Sequence, residues 1–349
     1  MAISVEIQKE YHGKMQHISF QTTSSRIGIL GDSEERVRLL LQCIVGVETP
    51  DQGKISIDGK SIYDSEKEIN FKPQERKLGC LFQDYALFPF MTTAENIACG
   101  FRGDKGKKKT TVQEYLKRYH LKGAEKKYPH QLSEIEQLYT AVARMMIGEP
   151  ELILLEDVFS GWTSLQKELL SQTLDPLFEE YQGTVLLTSG NFRHIYELCE
   201  DVAVFCEGKT VAAGNVRQLY KDPQSLDAAR LMGCRNYSRI ERLDEHHICA
   251  LDWEIVLRTA KQVEEDITYV GIYDHCFWPL DKERENCLPV QAEKFRETLT
   301  AQQYQIKNRR KRDAAAVEWK CFHFWQEEEK NVSLPEYLYF PPEALLLLK

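Results

Sequence analysis

At 349 residues, with 42% hydrophobic and 28% charged side chains, the chain has the length of two soluble domains and enough apolar residues for a core in each. The formal net charge of −9 excludes a general binder of nucleic-acid backbones, which needs clustered cations. No apolar run approaches the roughly 20 residues of a membrane helix, and Met1 to Glu6 lack a secretory leader, so a cytosolic chain is expected.

In chain order, Ile3–Ile7 and His17–Phe20 alternate as two antiparallel strands. Arg26–Leu30 reads as a buried strand that ends at Gly31 and runs into a helix carrying Val37, Leu39, Leu40, Leu41 and Ile44. Strand, glycine turn and helix make the architecture of a phosphate-binding loop. Glu151–Leu155 is a second buried strand, closed by the carboxylates Glu156 and Asp157. Thr184–Thr188 and Val202–Phe205 follow, with the helical stretch 165–181 before them. Strands alternating with helices predict an α/β domain with a mainly parallel sheet covered on both faces.

After about residue 230 the pattern changes to short strand-like pieces: 247–251, 255–258, 269–272, 319–325 and 336–340. They predict a small β-barrel or sandwich. We place the boundary after the helix-like Ser225–Met232, giving domains at 1–232 and 233–349. The ten cysteines are scattered singly, with no paired zinc spacing, as a cytosolic protein would have them. His246-His247-x-Cys249 and His275-Cys276 are the nearest approach to a metal cluster and read as structural.

Several ordered segments carry a resemblance. Gly31 to Arg38, Val45 to Gly53, Leu81 to Pro89, Met91 to Ile97, Tyr128 to Ser133, Ala141 to Arg144, Glu207 to Thr210 and Leu219 to Pro223 resemble the ATP-binding subunits of ABC importers. The match runs over the first 230 or so residues. Asn236 to Ile240, Gly271 to His275, Leu334 to Leu338 and Pro341 to Ala344 resemble the small MOP/TOBE barrel appended to molybdate-type members. The resemblance implies a P-loop ABC ATPase fold (parallel core sheet, antiparallel subdomain, helical subdomain) with ATP and Mg as cofactors. It implies membrane permease subunits as partners, and a homodimer or a heterodimer with another ABC ATPase. It also implies a cytoplasmic place, peripheral on the inner face of the membrane, and an oxyanion at the barrel.

The motifs depart from the working pattern. Against G-x-x-x-x-G-K-[ST], the phosphate loop reads Gly31-Asp32-Ser33-Glu34-Glu35-Arg36-Val37-Arg38. Arg36 stands for the later glycine, Val37 for the lysine, and Arg38 for the magnesium-binding hydroxyl. Glu34 and Glu35 bring like charge to a phosphate site, at roughly 1 to 4 kcal/mol per pair at about 4 Å. The carboxylates of the second strand appear as Glu156 then Asp157, implying metal contact at Glu156 and the water-directing role at Asp157. Gln83 is intact as a water or metal contact, and Tyr11 stands where relatives stack an aromatic on adenine. The signature L-S-G-G-Q becomes Leu132-Ser133-Glu134-Ile135-Glu136, the His that meets the γ-phosphate falls on Gly190, and S-A-L-D becomes Ser160-Gly161-Trp162-Thr163. In a homodimer neither composite site would work.

By contrast, Asp84 to Pro89 and Glu95 to Ile97 keep the pattern of the region that meets the permease. The first reading is therefore a hydrolysis-defective subunit of a molybdate-like import system that docks on a permease or regulates it. Two alternatives stay open: a weakly active ATPase using Glu156, Asp157 and Gln83, and a soluble oxyanion-responsive binding protein.

Overall fold

In the computed structural model, residues 3–160, 180–298, 301–311, 313–322 and 334–349 are described, with the backbone alone at 293–295 and 322. The expected helix at 165–181 and the positions Gly161, Trp162 and Thr163 lie almost wholly or wholly outside them. Two compact units divide the chain, Met1–Val216 and Arg217–Lys349.

The first unit is built on β1 (Ile3–Tyr11), β2 (Lys14–Thr22), β3 (Arg26–Gly31), β4 (Gln52–Ile57), β5 (Lys60–Asp64) and β6 (Ile69–Asn70). It continues with β7 (Leu78–Leu81), β8 (Leu152–Glu156), β9 (Thr184–Thr188), β10 (Asp201–Cys206) and β11 (Lys209–Asn215). These form one sheet in the order β6-β5-β4-β1-β2-β11-β10-β3-β9-β8-β7. Its β10-β3-β9-β8-β7 half is parallel, and its β6-β5-β4-β1-β2 half is antiparallel. The mixed α/β fold read from the sequence is thus observed. The parallel strands are mainly apolar, as strands covered on both faces tend to be: all of β9 and the first four residues of β8 are buried.

Among the described residues of this unit there are five α-helices: α1 (Glu34–Val45), α2 (Thr93–Gly100), α3 (Lys108–Arg118), α4 (Glu134–Met146) and α5 (Phe192–Leu198). Buried Leu39, Leu40, Leu41, Cys43 and Ile44 turn α1 onto the sheet, where they join Ile27, Ile29, Leu154 and Leu186 in one core. Helix α5 comes close to β3 at Gly28. A Cβ there would sit 2.2 Å from Ile195 Cγ2, so only glycine admits this approach. Helices α2, α3 and α4 share a smaller core of Ile97, Val112, Leu116, Ala143 and Ile147.

One buried cation organises the end of α1. Arg76, 2% exposed, donates from Nη1 to the carbonyls of Cys43 and Ile44 at 2.7 Å each. Its Nε donates to Phe71 O at 2.7 Å and its Nη2 to Asn70 Oδ1 at 3.0 Å. It satisfies carbonyls that the last turn of a helix leaves without partners.

The second unit opens with α6 (Val216–Lys221) and α7 (Leu226–Leu231), the latter capped by Ser225. Then come β12 (Asn236–Arg242), β13 (His247–Ala250), β14 (Ile255–Arg258), β15 (Tyr269–Ile272) and β16 (Trp278–Leu280). The last strands are β17 (Cys287–Glu297), β18 (Ala301–Asn308), β19 (Val317–Phe322), β20 (Tyr337–Tyr339) and β21 (Leu346–Leu348). They make two five-stranded sheets, β14-β13-β12-β15-β21 and β16-β20-β17-β18-β19. A single core joins them through Trp253, Leu257, Val270, Leu288, Trp319, Leu338 and Phe340.

Candidate functional site

The C-terminal ends of the parallel strands meet in one cleft, the usual place for a ligand in such a sheet. Gly31, Glu34, Val37, Arg38, Gln83, Glu156, Asp157, Thr188, Ser189 and Gly190 line it, together with Ile29. The structure therefore brings Gly31, Glu34, Val37 and Arg38 of the loop together with Gln83, Glu156 and Asp157, whereas Asp32, Ser33, Glu35 and Arg36 lie outside the lining. Its enclosed volume is about 40 Å³, on the scale of a water molecule.

The reason for that size lies in how α1 begins. Ser33 takes the extended N-cap conformation (φ −144°, ψ 122°), and its Oγ accepts from Arg36 N at 3.4 Å. The helix thus starts at Glu34, two residues after the strand, leaving no extended loop to wrap an anion. Glu34 and Glu35 occupy its first turn, where negative charge complements the helix dipole. Glu34 also lines the cleft, so the chain presents its own anion there. A Cβ added to Gly31 would meet Val37 Cγ2 at 2.4 Å, so the valine methyl occupies the space above that glycine.

Two ion pairs complete the arrangement. Arg36 Nη2 donates to Asp32 Oδ2 at 2.6 Å, and the same oxygen accepts from Glu207 N at 2.9 Å. Burial acts to raise the Asp32 carboxyl, but the Arg36 hydrogen bond, the Glu207 amide and the Arg36 charge bring it below the ordinary carboxylate range. Arg38 Nε donates to Glu156 Oε1 at 2.8 Å, across 118 residues of sequence. The Arg38 side chain is 58% exposed and that of Glu156 is 17% exposed, so this pair stabilises the fold only modestly. Its effect is to place a cation on Glu156, the carboxylate for which the sequence resemblance implied metal contact.

Asp157 sits at φ 42°, in the left-handed region that non-glycine residues rarely adopt. Its amide donates to Thr188 Oγ1 at 3.0 Å, fixing the backbone at the strand end. Burial pushes its carboxyl up, with Glu34 and Glu156 adding to the rise while the Ser160 hydroxyl and the Gly190 amide oppose it. A carboxyl raised in the folded state costs stability once ionised: its contribution is full below the unfolded value near 3.8 and is lost as pH climbs through the folded value. Asp157→Asn should therefore stabilise the folded chain at pH 7 and raise its melting temperature. The gain should shrink as pH falls toward 4, and calorimetry at the two pH values checks both signs.

The other predicted positions are occupied as follows. Ser133 caps α4, and its hydroxyl and amide both donate to Glu136 Oε2, at 3.0 and 2.8 Å. Those bonds, the backbone one first, hold the Glu136 carboxyl low, with Lys127 3.2 Å away adding to the effect. The signature serine is thus engaged in a capping box. Gly190 leaves open space where a histidine side chain would stand. His194 is carried on α5, but its Nδ1 lies 3.0 Å from the cleft-lining Ser189 Oγ. Spacing along the helix gave no signal of that link. Tyr11, at the end of β1, packs partly against the core beside His12, with ring centroids 4.2 Å apart.

A nucleotide with magnesium fits these residues poorly. The hydroxyl position is Arg38, and the Glu156 carboxylate already holds its guanidinium. A divalent ion about 4 Å from that guanidinium would meet about 2–8 kcal/mol of repulsion, twice the unit-charge figure. Among the described residues no three His, Cys, Asp or Glu side chains are arranged to hold a metal ion.

A second feature is a groove of about 430 Å³ lined by Phe82, Ala86, Phe88, Cys99, Arg102 and Arg144, among others. Phe82, Phe88 and Phe90 are 38%, 47% and 91% exposed. The loop that presents them is tightly held. Asn96, fully buried, donates from Nδ2 to the carbonyls of Phe88, Met91 and Thr92, and its Oδ1 accepts from Phe88 N. Arg144 donates to Tyr85 O and Ala86 O at 2.7 Å each and lies over the Phe88 ring. Glu95 closes a capping box with Thr92 at the start of α2.

In the second unit, Tyr273 stacks on Tyr220 with centroids 4.3 Å apart and donates from Oη to its carbonyl at 3.1 Å. The Asp274 hydrogen bond lifts His275 to about 10. His247 Nδ1 lies 2.8 Å from Asp244 Oδ2.

Residues 17–160 match the family described as ABC transporter. A probable sulfate/thiosulfate import ATP-binding protein of Chlorella vulgaris is 29% identical over 214 residues, 60% of this chain and 88% of that protein. A molybdate/tungstate import ATP-binding protein of Pyrococcus horikoshii is 31% identical over 238 residues, 66% of each chain. A spermidine/putrescine import ATP-binding protein of Vibrio cholerae is 30% identical over 226 residues, 63% of this chain but 58% of that one. Among solved structures, cbiO1 of Clostridium perfringens, part of the ABC transporter complex cbiONQ, superposes with a TM-score of 0.54 at 22% identity. That alignment covers 63% of this chain and 91% of the other.

Proposed function

Because the chain carries an ABC transporter ATP-binding domain homologous to the ATP-binding proteins of sulfate, molybdate and spermidine importers, we propose that it is a docking subunit of an importer that does not hydrolyse ATP. The Arg38–Glu156 pair carries this reading, since it puts a side-chain cation where the chemistry needs a metal ion. The shortened loop, the Val37 methyl over Gly31 and the self-capped Ser133 support it. The permease partner is supported by the aromatic groove: exposed Phe82, Phe88 and Phe90 on a loop fixed by Asn96 and Arg144 form a rigid apolar surface suited to an amphipathic helix.

The transported solute is an oxyanion on this reading, by likeness to the sulfate and molybdate relatives. The weakly active ATPase remains the second reading, supported by Gln83, Glu156 and Asp157 lining one cleft. Two measurements decide. Calorimetric titration with Mg-ATP should give no saturable binding in the micromolar range, and purified protein should release no phosphate above background. Phe90→Asp should cut co-purification with the permease from native membranes about tenfold or more, while leaving the melting temperature unchanged. Turnover lost on changing Asp157 would establish the ATPase instead.

A further inference from the structure

The cleft does not simply lack nucleotide contacts; it is lined by its own charges, Glu34, Arg38, Glu156 and Asp157. Asp32 and Glu35 flank Glu34 at the start of α1, outside the cleft lining. Asp32 is held as a bound anion is held, by the Arg36 guanidinium at 2.6 Å and a backbone amide at 2.9 Å. Arg38 stands at the magnesium-ligand position of the loop and reaches Glu156, the metal-site carboxylate, at 2.8 Å.

We propose that the site is self-liganded: acidic side chains of the loop take the place of phosphates and the Arg38 guanidinium takes the place of the metal ion. This deepens the non-hydrolysing reading and rests on it. Its consequence is that the first unit needs neither nucleotide nor metal to hold its cleft together. The positive charge of Arg38 is then the feature that matters, more than its shape. Remove it, and Glu156 is left beside Glu34 and Asp157, three carboxylates lining one cleft.

The test is thermal unfolding of the full chain without nucleotide, comparing wild type, Arg38→Lys, Arg38→Met and Arg38→Met/Glu156→Gln, each with and without about 10 mM MnCl2. Wild type and Arg38→Lys should melt alike and shift by less than about 1 °C with Mn2+. Arg38→Met should melt about 2 °C or more lower, and Mn2+ should restore most of that loss. The double variant should recover without Mn2+ and not respond to it. An equal loss in the double variant would show that Arg38 acts through shape, and would overturn the proposal. So would an Arg38→Met protein indifferent to Mn2+, or a wild type that responds as strongly. Phosphate release from Mg-ATP by the wild type is read separately, and its appearance would defeat the non-hydrolysing reading whatever the melting series shows.

Discussion

Arg76→Met should lower the stability of the first unit by about 3–5 kcal/mol, the range for removing one partner from a buried charged network. In a unit of this size that is a melting-temperature loss of roughly 6–20 °C, readable by calorimetry. The side chain joins the end of α1 to the segment that leads into β7, so four acceptors lose their donor together. Methionine keeps much of the apolar stem and makes none of these bonds. Arg76→Lys should recover little, because one ammonium cannot reach Phe71 O, Asn70 Oδ1 and both helix carbonyls as a planar guanidinium does. A loss below about 1 kcal/mol would show that water replaces the arginine at the helix end.

Nothing in the sequence marked Arg76, and the reason is general. Its partners are chosen by the crossing of α1 and the β6–β7 segment, not by any local pattern. What was legible had a local cause. Arg26–Leu30 followed by Gly31 and a helical apolar stripe gives β3 and α1, and the runs 184–188 and 202–205 give β9 and β10. The first unit's sheet edge was less legible. Strands β4, β5 and β6 are short, and their order against β1 depends on pairings such as Val5 with Ile55 that periodicity cannot supply. In the second unit, strand-like pieces could be seen, but β17 and β18 with their irregular register near Ala292 were not.

The site was legible as a set of positions and not as a set of contacts. Motif order placed Gly31, Gln83, Glu156 and Asp157 together, and the cleft gathers them. Arg36 hydrogen-bonds Asp32 and Arg38 hydrogen-bonds Glu156, while the Glu34 and Glu35 charges also act on Arg38. These pairings follow from α1 beginning at Glu34. On a formed helix, position 36 lies one turn from Asp32, while position 38 faces the end of β8. A side chain's partner is set by where the helix starts, and the apolar stripe from Val37 to Ile44 does not mark that start.

That geometry makes the outcome of partial repair predictable. Val37→Lys with Arg38→Ser restores the two residues most associated with phosphate and metal, yet should not restore binding of Mg-ATP. The new lysine would find Glu34 and the vacated Glu156 in the same cleft, and the helix would still start at Glu34, with Arg36 still holding Asp32. The fourfold change Glu34→Gly, Arg36→Gly, Val37→Lys and Arg38→Ser should do what the pair cannot. Glycines at 34 and 36 disfavour the early helical turn and release Asp32, letting consecutive amides turn toward an anion. Calorimetry should then detect saturable Mg-ATP binding. Turnover should still lie at least about 10⁴-fold below that of an intact site, because Glu134 in the signature and Gly190 at the histidine position each remove a transition-state contact worth about 10²–10³ in rate. Phosphate release at an appreciable rate from the double variant would show that the loop alone had silenced the site. Binding by the fourfold variant without turnover would locate the remaining block at Glu134 and Gly190.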